Sequence, residues 1–180
     1  MIGIVLSMFD TCVGPKILLK YPKSVESVHI NHIPKLMDVF EEGFIVYEFG
    51  SLKTANFIFE TNNPVARGQR DTLMFSVISV NNQYQLNLNS FKEIIEYFVD
   101  EIKNISDLYK GLHHEEISGG SKEFKKLKLL INSFYEFLPK ENVVFEPKLK
   151  KKLTFELSTL GKSDIISQLS KLKNINLILP

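Results

Sequence analysis

Apolar and polar positions alternate from the first residues of the chain. In the opening run Ile2, Ile4 and Leu6 share one parity, and Gly3, Val5 and Ser7 the other. A period of two is the mark of a strand. Both parities are mostly apolar, so this strand is expected to be covered on both faces, inside a sheet rather than at its rim. Asp10 to Pro15 holds turn-forming residues, and Ile17 to Tyr21 is extended again until Pro22, which offers no ladder donor. A hairpin is therefore predicted from residue 1, leaving no room for a signal peptide.

Further along, Asn31 can cap a helix in which Ile33, Leu36, Met37 and Phe40 keep helical spacing, with Pro34 in its first turn and Gly43 as C-cap. Phe44 to Phe49 and Ala55 to Glu60 read as strands joined at Gly50-Ser51, a second hairpin. Thr61 to Asp71 is polar and reads as a loop. Thr72 to Val80 is a third strong strand unit, with Leu73, Phe75, Val77 and Ser79 on one face. Ser90 and Glu93 have the spacing of a capping box, and the stripe Phe91, Ile94, Ile95, Phe98, Val99, Ile102, Ile105 predicts one helix to about Lys110.

Gly111 to Gly120 reads as a break. Ser121 then caps a helix with Phe124, Leu127, Leu130, Ile131, Phe134 and Leu138 on one side, lysines 122, 125, 126 and 128 on the other, and Pro139 as its stop. Residues 140–152 read as a charged linker. Leu153 to Leu157 fits a strand or a helix, Ser163 caps a short helix, and Ile175 to Leu179 reads as a strand. The order β-β-α-β-β-β-α-α predicts an α+β fold, with a five-stranded antiparallel sheet and helices on both faces.

Composition narrows the function more than the fold. The 180 residues suit one domain with a small appendage. Phenylalanine carries much of the core, with 14 Phe and no Trp. Lys+Arg 22 against Asp+Glu 21 leaves a net charge of +1, without the basic excess of a nucleic-acid binder. The single cysteine, Cys12, forms no internal disulfide and suits a reducing, cytosolic setting. No apolar run approaches the roughly 20 residues of a membrane span.

The element order is that of the longin fold, and two stretches sharpen the likeness. Leu6 to Ile17, ending Gly-Pro-Lys-Ile, resembles the first hairpin of the longin domains in nitrogen permease regulator 2-like proteins. Gln69 to Ser79, an arginine before an apolar strand, is similar to a loop and strand of the same family. The resemblance covers roughly Met1 to Leu138, which sets a longin-like domain at 1–139 and leaves 140–180 as a C-terminal extension. It implies a cytoplasmic interaction module that works with small GTPases, or with another longin or roadblock-type subunit, in membrane traffic or signalling. Folliculin-type and nitrogen permease regulator-like members use a loop arginine as a GTPase-activating finger, and the position matching it here is Arg70. Homo- or heterodimers and peripheral membrane contact are also implied.

The residues themselves allow both a functional and a plain structural explanation. A permanently charged guanidinium at Arg70 can stabilise a transferring phosphoryl group, or simply pair with Asp71 at the surface. Arg67 lies farther from the strand that would fix it. No phosphate loop, dinucleotide fingerprint or nucleophile elbow is present, and Leu160-Gly-Lys-Ser163 lacks the earlier glycine of a phosphate loop. His29, His32, His113 and His114 read as surface histidines, so no metal and no cofactor are expected. Cys12 reads as a small packing residue. Lysines 148, 150, 151 and 152, with the lysine face after Ser121, are the candidate contacts to anionic lipid.

Overall fold

The structure, a computed structural model, describes residues 2–25, 30–80, 88–113 and 121–138. The chain falls into two units, Met1–Tyr135 and Glu136–Pro180, and the packing below is that of the first. Five strands, β1 (Ile2–Asp10), β2 (Gly14–Tyr21), β3 (Gly43–Phe49), β4 (Leu52–Asn62) and β5 (Arg70–Val80), form one antiparallel sheet in the order β2-β1-β5-β4-β3. Three helices follow, α1 (Lys92–Lys103), α2 (Leu108–His113) and α3 (Lys122–Phe137). The class is α+β. Pro139, the extension 140–180 and its expected elements lie outside the described residues.

β5 is the middle strand, and Leu73 through Ser79 are buried without a break. β1 lies beside it with Gly3 through Met8 buried, the two-sided cover that its double apolar parity demands. Register sorts the faces. Ile4, Leu6 and Met8 stand opposite Val77, Phe75 and Leu73, on the face that takes the α-helices. There Phe134 of α3 meets Phe75 edge-on at 5.1 Å and Phe98 of α1 at 4.2 Å, so one buried ring joins β5, α1 and α3. The opposite face carries Val5, Met74, Ile78, Leu52 and Ile58, packed with Ile30, Ile33 and Leu36.

Two close approaches shape this packing. A Cβ on Gly3 would lie 2.6 Å from Val25 Cγ2 and 3.0 Å from the Tyr21 carbonyl oxygen. One on Gly111, in α2, would lie 2.9 Å from the backbone nitrogen of Phe124. Gly111 therefore does not break the chain; it lets α2 press against the start of α3.

Three expected elements differ from the structure. The helix foreseen after Asn31 is a pair of 3-10 turns, Ile30–His32 and Pro34–Asp38. Pro34 has no N–H to continue an α ladder, and the segment closes through the short bonds Ile33 N–H to Ile30 O and Leu36 N–H to Ile33 O. Among the described residues, the second face is thus covered by 3-10 turns and not by an α-helix. Gly43, expected as a C-cap, opens β3 at φ +133.

The single helix foreseen from Ser90 to Lys110 is divided. A 3-10 turn, Leu88–Phe91, leads into α1, which puts Phe91 at its N-cap position. The chain then leaves the helix at Asn104 and passes through a left-handed Asp107 (φ 56) into α2. Asn104, Ser106 and Asp107 are short polar residues that compete with the helix for its own backbone. Ser121 does cap α3, its Oγ accepting the Phe124 N–H at 3.1 Å.

Candidate functional site

The far end of the β4–β5 hairpin carries the residue singled out by the sequence. β4 and β5 run further than expected: Thr61 pairs with Asp71 and Asn62 with Arg70, so only 63–69 connect them. The polar loop foreseen over Thr61–Asp71 is thus a short turn between strand ends. Asn63 builds it. Its Oδ1 accepts the N–H groups of Val65 (3.1 Å) and Ala66 (3.3 Å), while its own N–H reaches Gln69 O at 2.9 Å. Gln69 closes the turn at φ 56.

Strand alternation sends Arg70 and Asp71 to opposite faces. Asp71 is buried on the helix side, where both its carboxylate oxygens accept from Asn63 Nδ2 (3.0 and 2.9 Å). His113 Nε2, at the end of α2, lies 3.0 and 3.1 Å from the same two oxygens. An ionised carboxylate only accepts, so Nε2 carries the hydrogen that it donates to Asp71. The 3.3 Å approach of Asn63 Nδ2 to Nε2 is then a contact between two donors sharing one acceptor. Asn63, Asp71 and His113 fasten the turn to α2 across 42 and 50 residues of sequence.

Arg70 stands on the other side, its side chain 67% exposed and its Nη1 2.6 Å from Glu60 Oε2. It does not pair with Asp71. Glu60 in turn donates its N–H to Glu42 Oε1 at 3.1 Å, and Lys103 Nζ lies 3.8 Å from that same oxygen. Arg70, Glu60 and Glu42, with Thr61, Asn62, Gly68 and Gln69, line an open polar cleft of about 400 Å³. It carries one guanidinium and two carboxylates. This suits a polar partner surface or a charged group that competes with Glu60 for the guanidinium. Arg67 is exposed on the turn.

The other candidates stand elsewhere. Cys12 is exposed at the tip of the first hairpin rather than packed. Its N–H and that of Val13 donate to Asp10 Oδ1 at 2.8 and 3.1 Å, and Lys16 Nζ holds Asp10 Oδ2 at 2.7 Å. The Lys16 ammonium first, and the two N–H groups after it, pull the Asp10 carboxyl down to about 2. His32 is exposed and its ring lies 6.1 Å from that of Phe49. Lysines 122, 125, 126 and 128 are exposed along α3. His29, His114, lysines 148, 150, 151 and 152, and Leu160–Ser163 lie outside the described residues.

Among the described residues no group of three or more His, Cys, Asp or Glu could hold a metal ion, and no helix is long and apolar enough to cross a membrane. Sequence reasoning missed the Asn63–Asp71–His113 unit. Its one local signal was Asn63 before Pro64, a turn-starting pair. The partnership with His113 has no local signal at all. No family model and no curated protein matches this chain.

Proposed function

We propose that this chain is a longin-type interaction module, acting as a cytoplasmic adaptor or regulatory subunit for small GTPases in membrane traffic or signalling. The observation that carries the reading is the sheet itself. Two hairpins flank a central β5, in chain order β-β, 3-10 turns, β-β-β, then helices, and Leu6 to Ile17 lies on the first hairpin. The resemblance rests on that stretch and on a β-β-α-β-β-β order, and the five antiparallel strands support it, with 3-10 turns at the place of its first helix. A polar cleft of mixed charge at one end of a sheet suits recognition more than chemistry.

A second reading is favoured by Arg70 alone: its guanidinium is exposed, sits at a braced strand end and is held by a single carboxylate. Such a group can leave Glu60 for a phosphoryl group, which makes a GTPase-activating finger the alternative function. A tethering-complex subunit without GTPase contact is the third. Pull-down with GTP- and GDP-loaded small GTPases tests the first: binding to one nucleotide state is expected, and no binding to either leaves the tethering reading. A GTP-hydrolysis assay with Arg70→Ala separates adaptor from activator. The adaptor reading expects no stimulation by either protein. Stimulation that the variant loses establishes the finger instead.

A further inference from the structure

Helix α3 presents two unlike faces. Phe124, Leu127, Ile131 and Phe134 are buried on one side, where Phe134 meets the rings of Phe75 and Phe98. The other side carries Lys122, Lys125, Lys126 and Leu129, all exposed, at the i, i+3, i+4, i+7 spacing of a single stripe. Leu129, 63% exposed, lies opposite the buried stripe by the helical period, with Lys125 and Lys126 one turn before it on either side. Ser133 continues the stripe one turn later, and no carboxylate stands on it from Lys122 to Ser133. Lys128 adds an ammonium on the flank, 4.2 Å from the centre of the Phe124 ring. Glu123, the one acidic residue of that span, is half-buried on the other flank.

The charge selects an anionic partner, and the residue types select which kind. An ammonium is a compact, strongly hydrated point charge without the fixed fork of a guanidinium. A run of them suits a diffuse layer of phosphates better than a shaped carboxylate pocket. Protein interfaces enrich arginine and aromatic residues and are depleted in lysine. This stripe holds neither arginine nor an aromatic residue. A lone exposed leucine is ordinary. Among ammonium groups it has a use, as an apolar side chain that enters the headgroup region once the charges have brought the helix to the surface.

We infer that α3 docks this chain on an anionic phospholipid surface, its lysines over the headgroup phosphates and Leu129 pressed between them. The helix lies on that surface with its apolar face still packed on the sheet. The fold then sets the orientation. Asp71 is on the helix side of the sheet and Arg70 on the other, so the Arg70–Glu60 cleft faces away from the lipid and stays open to a second partner. Docking needs only α3 and does not rest on the GTPase reading.

Flotation of the full chain tests this, with vesicles of phosphatidylcholine alone beside vesicles of phosphatidylcholine and phosphatidylserine. The parent is expected to float with the anionic vesicles only, and less as salt rises. Lys125→Gln and Lys126→Gln should each lower the partition roughly fivefold, the ~1 kcal/mol of one lysine near such a surface. Leu129→Ser should lower it too, with the salt dependence unchanged. Lys35→Gln, at an exposed position in the 3-10 turns of the opposite face, should leave it as it is. All four positions are exposed, so the variants should keep the parent's far-UV circular dichroism. Equal binding to both vesicle types, α3 variants that bind like the parent, or a Lys35→Gln loss equal to theirs overturns the proposal. A parent that ignores the anionic vesicles but is retained on a polyglutamate resin through Lys125 and Lys126 also rejects the membrane, and gives the face to an acidic protein. The vesicles hold no GTPase, so failure here leaves the proposed function untouched.

Discussion

Asp71 is the residue on which the Arg70 end of the sheet depends, and its replacement by alanine has a calculable cost. The carboxylate is buried and accepts from two partners, Asn63 and His113. A hydrogen bond to a charged group contributes a net ~1.5–3 kcal/mol, and stranding a buried amide donor costs ~1–3 kcal/mol. The desolvation of the carboxylate, relieved in the variant, offsets part of this. Asp71→Ala should therefore destabilise by about 2–4 kcal/mol, against a total stability of roughly 5–15 kcal/mol for a domain. His113→Ala should cost less, about 1–2 kcal/mol, because its side chain is 45% exposed and Asn63 still serves the carboxylate.

The double variant should fall short of the sum by about 1 kcal/mol, since both singles break one shared contact. With no tryptophan in the chain, urea unfolding followed by far-UV circular dichroism is the assay. Amide exchange at Val65, Ala66 and Gln69 is the local readout, because those N–H groups close the turn that Asn63 builds. An Asp71→Ala variant within about 0.5 kcal/mol of the parent, with unchanged exchange in the turn, would refute the reasoning.

Three further outcomes follow from the packing and the electrostatics. Gly3→Ala should cost about 1–3 kcal/mol in urea unfolding, because its methyl group would lie 2.6 Å from Val25 Cγ2 in a closed interior. Ser121→Ala should cost about 1 kcal/mol, the usual loss of an N-cap acceptor, and should raise amide exchange at Phe124. The Asp10 carboxyl, at about 2, lies below its ordinary 3.8. Its folded-state value is depressed, so its contribution to the first hairpin is complete above 3.8 and is lost as pH falls through about 2. An NMR titration should show this, and Lys16→Met should move the midpoint up towards the ordinary value.

The parts of the fold that sequence made legible are those in which pattern and burial agree. β1 and β5 announce themselves because both parities are apolar, and the Gly50-Ser51 hairpin because its turn is local. The stripe from Phe91 to Ile102 marks α1 for the same reason. The 3-10 turns after Ile30 share the spacing of an α-helix over so short a span, and only the missing Pro34 N–H tells them apart. The division at Asn104–Asp107 is hidden in the pattern because Ile105 continues the apolar stripe, although the polar residues around it end the helix. Arg70 stands out by resemblance and by its type. Its true partner, Glu60, lies across the strand pair, and its neighbour Asp71 turns the other way to meet a histidine 42 residues on. Such long-range pairing is fixed by register, which no local window contains.

Affinity purification of the intact chain, loaded in turn with GTP and with GDP in the binding buffer and read by mass spectrometry, bears on the reading as a GTPase-binding module more than any other measurement. A small GTPase enriched in one nucleotide condition, and diminished by substitutions in the Arg70–Glu60 cleft, is the outcome expected. Purified complexes holding no small GTPase in either condition would remove that function from this protein.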